Sequence, residues 1–437
     1  MNPQQAFTRR QFVRTGLGLV GVGVTVPTFL SDTVAALTGG VDASAAGRGD
    51  EPILVVVQLA GGNDGLNTVV PYRSDFYHAA RPTLGIKADR VLTLDDTLGL
   101  HSEAVGLKKL FDDGHLAIIN GVGYPNPNRS HFVGTRIWET ADPDERASTG
   151  WLGRFFDNNC KGEDRPDPMS SIALVNETPL ALTGEKFAPI CVANPENWRY
   201  GGADIVRRIA ERRQPPREKT PRRSARDRNR RRATRTPDAP AVEARSFVER
   251  AMLDTAVAAD DIRRAARTTI DGVDFPGNRF AQSLKHVAGM IASNMPTRVY
   301  YVSLGGFDTH ANQAGNHARL LRQLGDSLTA FVSALKRIDA WPRTMIMTFS
   351  EFGRRVAENA SGGTDHGEAA PMFLLGDRVQ PGLHGDMPPL DKLHRGDIAF
   401  HTDFRRVYAA VLQDWLAADA KQILGPGFTP LPIIRKA

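Results

Sequence analysis

Apolar positions along this chain fall into two patterns that take turns, short unbroken runs and longer helical stripes. ILVVVQL (53–59), LAIINGVG (116–123), RVYYVSL (298–304), TMIMTF (344–349) and PMFLLG (371–376) are of the first kind. Runs of this length and continuity predict strands buried on both faces, as in a parallel sheet. Stripes at three- and four-residue spacing predict helices over roughly 241–270, 277–292, 315–338 and 403–418. An amphipathic segment with Leu107, Leu110 and Phe111 precedes the second strand. Strands alternating with helices predict an α/β fold, a mostly parallel central sheet with helices on both faces.

Ligands of such sheets bind outside the carboxyl ends of the strands, so the residues just after each strand matter most. Here they are Asn63-Asp64, then Asn128-Arg129-Ser130-His131, then Asp308-Thr309-His310, then Ser350-Glu351, and next the loop with Asp365-His366. Strand after strand ends in Asp, Glu, Ser or His. Carboxylates and imidazoles gathered on one edge suit a divalent cation, Zn²⁺, Mn²⁺ or Ca²⁺. Ser130 precedes the amphipathic stretch HFVGTRIWET, which places its hydroxyl at a helix N-terminus, where an incoming anion is favoured. Each residue also has a purely structural reading. Asp64 between glycines can hold a tight turn, Ser130 can cap its helix, Asp308 and His310 can pair with each other, and Arg354 can neutralise Glu351.

Charge is concentrated. The net charge of +6 over 437 residues conceals residues 199–235, where 15 Lys or Arg stand against 4 Asp or Glu, so the remainder is net acidic. That segment has several prolines and almost no apolar residues after Ile209, too few to offset its ordering entropy. A disordered basic insertion over about 199–240 is expected. The alternative is a patch for anionic polymers, nucleic acid or lipid head groups, but after Tyr200 no aromatic residue interleaves the basic ones, and no specific nucleic-acid binding is expected. At the N-terminus, Thr8-Arg9-Arg10-Gln11-Phe12 leads into the glycine-rich apolar run TGLGLVGVGVTVPTFL. Paired arginines before a run of about 16 residues, short of the roughly 20 that a spanning helix needs, have the form of a twin-arginine export signal. The expectation is a signal peptide and linker over 1–46, then one domain over 47–437. The mature chain is expected to have no transmembrane span and a periplasmic or secreted location, with the twin-arginine export machinery as a partner. Cys160 and Cys191 fit an oxidising compartment, as one disulfide or as two thiols.

LVVVQLAGGNDGLNTVVPY, GYPNPNRSHFVGTRIWET, VSLGGFDTHANQ, FSEFGRRVAENASGGTDHG and GLHGDMPPL, in this order and spacing, resemble the domain of unknown function 1501 family, whose members are typically twin-arginine exported. That family in turn resembles the alkaline phosphatase and sulfatase superfamily, which implies an alkaline-phosphatase-like fold. The resemblance implies that Asp64 binds one metal, that Ser130 is the nucleophile and that Asp308 belongs to a second metal. Where the superfamily often has a His four residues after that Asp, this chain has Asn312, with His310 two residues away. Where a strand usually ends in Asp-His, it has Glu351-Phe352. Asp365-His366 is either that pair displaced along a loop or, the favoured alignment, the site of the later His before a buried strand, with His384 in reserve. A formylglycine-type sulfatase is disfavoured, because no Cys or Ser stands in a C/S-x-P-x-R signature.

The expected function is an exported metal-dependent hydrolase of a phosphate or sulfate ester. Ser130 would attack, Arg129 and Arg354 would clamp the anion, and Asp64, Asp308, His310, Glu351 and His366 would hold one or two metals. The substrate would be an anionic small molecule or polymer. The alternative is a cell-envelope binding or assembly protein that kept the fold and lost the chemistry.

Overall fold

Five strands form where the unbroken apolar runs predict them. In the computed structural model, which describes residues 51–159, 167–198 and 258–436, the strands are β1 (Ile53–Ala60), β2 (Val69–Val70), β3 (Val91–Thr93), β4 (Gly99–His101), β5 (Leu116–Gly123), β6 (Ser171–Ala173), β7 (Ile190–Cys191), β8 (Val299–Gly305), β9 (Thr344–Phe349), β10 (Ala370–Gly376), β11 (Gly382–His384) and β12 (Thr402–Asp403). The main sheet has the order β11-β5-β10-β9-β1-β8-β6-β7, with β12 also on β5, and a small sheet has the order β2-β4-β3. These elements belong to a compact unit of residues 42–198 and 261–437. The export signal, the basic insertion and Cys160, with its pairing to Cys191, lie outside the described residues, as does the 241–270 helix before residue 258. Among the described residues no helix is long and apolar enough to cross a membrane.

Burial on both faces explains why the runs are unbroken. Along β1, Val55, Val57 and Leu59 enter one core with Leu284, Leu324 and Phe331. Leu54 and Val56 enter the opposite core with Trp138, Phe155 and Tyr408. Successive side chains of a strand point to opposite faces, so a strand covered on both sides is apolar at most of its positions. The helices Arg279–Ala292 and Gln313–Arg337 bury their apolar stripes in the first core. The helices His131–Thr140 and Phe404–Ala410 contribute to the second.

β1 pairs in parallel with β8 and with β9, whereas β10 runs antiparallel to β9 and to β5. The reason is the connection. Residues 350–369 contain no crossover helix, and a chain that turns back without one must pair antiparallel. The consequence is functional. Residues 350–369 stay at the edge where β1, β5, β8 and β9 end, and His366, just before β10, arrives at that same edge.

The end of β1 passes under the segment after β8. Gly61 and Gly62 have φ of +116° and +78°, and a Cβ on Gly61 would collide with the backbone N of Asp308. Gly61→Ala is expected to lose at least about 2 kcal/mol, read as a lower denaturant midpoint in the purified mature protein.

Candidate metal centre

Four side chains from three segments converge at this edge. Asp308, after β8, stands at the middle: His310 Nε2 and His366 Nε2 each lie 3.1 Å from its Oδ1, and His131 Nε2 lies 3.4 Å from its Oδ2. The Nε2 atoms of His310 and His366 are 2.9 Å apart. Donor atoms of His131, Asp308 and His366 all fall within 4.8 Å of one another, a group able to hold a metal ion.

The opposite nitrogen of each ring is held from behind. His366 Nδ1 faces the carbonyl oxygen of Arg129 at 2.8 Å, His310 Nδ1 faces Asp365 Oδ1 at 3.1 Å, and His131 Nδ1 faces Glu351 Oε1 at 2.8 Å. A carbonyl or carboxylate oxygen only accepts, so each Nδ1 is the donor and each neutral ring turns the lone pair of Nε2 inward. The three Nε2 atoms thus lie 3.1–3.4 Å from the Asp308 carboxylate, and the 2.9 Å between those of His310 and His366 calls for a proton or a cation between them. Imidazoles oriented by acceptors on their far nitrogen are the usual outer shell of metal-binding histidines. The spacing also fits. With metal–nitrogen bonds near 2.0 Å, tetrahedral ligand atoms lie roughly 3.3 Å apart.

Arg354 and Phe352 hold the cluster in place. Burial raises the pKa of Asp308, but the hydrogen bond and the charge of Arg354, with His366 beside it, outweigh it and bring it down to about 2. Arg354 Nη2 donates to Asp308 Oδ1 at 2.7 Å. The Phe352 ring packs 4.4 Å from that of His366 and 4.9 Å from that of His131, so the residue that cannot be a ligand serves as the apolar wall behind two of them.

The remaining sequence candidates lie elsewhere. Asp64 caps the turn Gly65–Thr68, is buried, and takes a two-pronged ion pair from Arg81 at 2.7 and 2.9 Å and a further hydrogen bond from Gln313. Its oxygens are occupied by protein donors, which is the turn-holding reading and not that of a ligand. Glu351 is buried and sits behind His131. Its Oε1 also accepts from Gly61 N at 2.8 Å, so it orients the His131 ring. Arg354 is buried and donates to the carbonyls of Gly61, Gly62, Phe307 and Thr364; it is a positioning residue, out of reach of a substrate. Arg129 pairs through its side chain with Asp397. Burial pushes the Asp397 carboxyl up to about 6 against the pull of Arg129 and Arg355. His384 Nε2 faces the Gln380 carbonyl.

Ser130 keeps its place at the start of the helix His131–Thr140 but makes no capping bond, and its side chain is exposed. Asn128 Oδ1 accepts from its backbone N at 2.8 Å. Ser130 therefore stands between Arg129, whose carbonyl holds His366, and His131, whose ring faces Asp308. His131 is a candidate ligand that sequence reading left out of the set. Its signal was present in Arg129-Ser130-His131, one residue beyond the candidate serine.

A family model described as "Protein of unknown function (DUF1501)" matches residues 119–403. No curated protein matches the chain. Among solved structures, the chain is similar to the C-terminal periplasmic domain of EcEptC from Escherichia coli, at 10% identity over 90% of this chain and 91% of that one, with a TM-score of 0.35. It is similar to the lipoteichoic acid synthase LtaP from Listeria monocytogenes at 12% identity over 85% and 80%, with a TM-score of 0.31. For the PsFucS1 sulfatase from Pseudoalteromonas sp. the values are 9% identity, 94% and 75%, and a TM-score of 0.35.

Proposed function

We propose that this chain, which belongs to the DUF1501 family, is an exported metal-dependent hydrolase of phosphate or sulfate esters with Ser130 as its nucleophile. The observation that carries the reading is the convergence of three imidazole Nε2 atoms on one carboxylate, each ring pinned from behind. His131, His310, His366 and Asp308 would hold the cation, and an imidazole-rich set of this kind suits zinc or manganese better than calcium, which takes oxygen ligands. A divalent cation there would supply positive charge to the anionic ester and to the reacting oxygens.

The chain's own residues do the rest. The Ser130 hydroxyl, free of any capping bond, attacks phosphorus or sulfur and the alcohol leaves; water then releases the anion from the serine. Backbone N–H groups in the first turn of the helix, not taken up by Ser130, are donors for the anion's oxygens. Glu351, Asp365 and the Arg129 carbonyl hold the imidazoles, and Arg354 holds Asp308.

The test is metal content of the mature protein, purified without chelators, followed by a screen of phosphate and sulfate esters. Near-stoichiometric metal is expected, with affinity falling at least about 100-fold in His366→Ala and in His131→Ala, each of which removes a direct ligand. Ser130→Ala is expected to keep the metal and to lose turnover by at least about 10³-fold. Folded protein that retains none of these cations sinks the mechanism. Metal retained with no turnover of any ester favours an envelope-binding role instead.

A further inference from the structure

Beside the metal centre lies an open groove of about 310 Å³ lined by Pro127, Asn128, Arg129, Glu368 and Arg395. Its walls share two chain segments with the centre. Arg129 immediately precedes Ser130, and Glu368 follows His366 by two residues. We infer that this groove is the subsite for the alcohol portion of the ester, and that it takes a polyhydroxylated, sugar-like group in preference to an aryl or alkyl group. The inference rests on the hydrolase reading above and names its substrate class.

Four of the five lining residues are polar, and their hydrogen-bonding capacity is only partly used. Glu368 is more than nine-tenths buried. Its Oε2 accepts from His394 Nδ1 at 2.9 Å, while its Oε1 stands 3.5 Å from Arg129 Nη2, too far for a good hydrogen bond. That oxygen is an acceptor held in the wall. Asn128 has its Oδ1 engaged by Ser130 N, which leaves its amide N–H groups as donors. Arg395 is exposed, and among the described residues its guanidinium makes neither a hydrogen bond nor an ion pair. Its backbone sits at φ +54°, a left-handed conformation that costs most side chains energy. The turn is closed by reciprocal backbone bonds between His394 and Asp397.

An acceptor carboxylate among amide and guanidinium donors matches neighbouring hydroxyls, each of which donates and accepts at once. An aryl or alkyl group would cover those polar groups without replacing their hydrogen bonds to water, and so would bind poorly. The volume lies at the lower end of small-molecule sites, about 300–1,000 Å³, which suits one sugar-sized unit.

The experiment compares kcat/KM of the metal-loaded mature protein for glucose 6-phosphate, glycerol 3-phosphate and glucose 6-sulfate against 4-nitrophenyl phosphate and 4-nitrophenyl sulfate. The polyol esters are expected to be favoured. That preference should fall about tenfold or more in Glu368→Gln and in Arg395→Gln, the loss expected for a hydrogen bond to a charged group. Glu368→Gln also touches His394 and Arg129, whereas Arg395→Gln disturbs no internal bond. A preference for the aryl esters, or a selectivity unchanged in both variants, overturns the subsite while leaving the hydrolase reading intact. Binding of the same five compounds is followed in parallel by saturation-transfer NMR. If no ester turns over, polyol esters that bind and are weakened in both variants uphold the subsite without the hydrolase reading. No polyol binding overturns the subsite.

Discussion

Arg354→Ala should lower the stability of the mature protein by about 3–5 kcal/mol, the cost of removing one partner from a buried charged network. Arg354 is buried, and its guanidinium gathers the carbonyls of Gly61, Gly62, Phe307 and Thr364 with the carboxylate of Asp308. The end of β1, the segment after β8 and the loop before β10 are therefore tied through one side chain. Alanine leaves several buried acceptors unsatisfied and frees Asp308 from its cationic partner, so metal affinity should fall together with stability. Lysine is expected to recover only a fraction, because an ammonium cannot reproduce the planar fork. Denaturant unfolding of wild type, Arg354→Ala and Arg354→Lys, with metal content of the folded fraction, checks this. A midpoint shift under about 0.5 kcal/mol in Arg354→Ala, the size of an ordinary surface effect, would refute the positioning role.

Asp64→Asn should cost a similar about 3–5 kcal/mol at neutral pH and leave the metal stoichiometry of the folded protein unchanged. The buried Arg81 guanidinium would lose its carboxylate, and Gln313 would lose its acceptor. The pH dependence has a definite sign. Burial raises the Asp64 pKa, but the charge and hydrogen bonds of Arg81, with smaller help from His317 and Gln313, bring it below its ordinary value. A carboxyl with a depressed folded pKa contributes stability above its unfolded value, near about 3.9, and loses it as pH falls through the folded value. The gap between wild type and Asp64→Asn is therefore expected to be widest above about pH 5 and to close as the solution is acidified below about pH 4. Unfolding curves for both proteins from pH 3 to pH 7, with metal analysis of each, provide the measurement. Loss of metal in a stably folded Asp64→Asn would return Asp64 to the ligand set.

The two residues show where sequence reading reached its limit. Asp64 and Arg354 stand in the right places, just after β1 and β9, and their residue types allow chemistry. Their assignment depends on partners 17 and 46 positions away, Arg81 and Asp308. Nothing in local spacing distinguishes a carboxylate that meets a cationic side chain from one that meets a metal. Glu351 and His131 present the converse case. Sequence position made Glu351 a candidate ligand, whereas its contact with His131 Nδ1 puts it behind one.

What the sequence by itself determined is the set of strands and the edge at which they end. Unbroken apolar runs can be satisfied only by cover on both faces, and in β1 alternate residues do enter opposite cores. The order of residues also put Asp308 and His310 together just after one strand, where they meet. The tertiary structure alone decided which polar groups at that edge face one another as candidate ligands, which stand behind them, and which are neutralised. Strand formation follows from local periodicity and the gain from burying apolar surface, which the order of residues records. The role of a polar side chain follows from the partner within about 3 Å of it, and that partner arrives from another strand through the reversal of β10 and the return of residues 350–369.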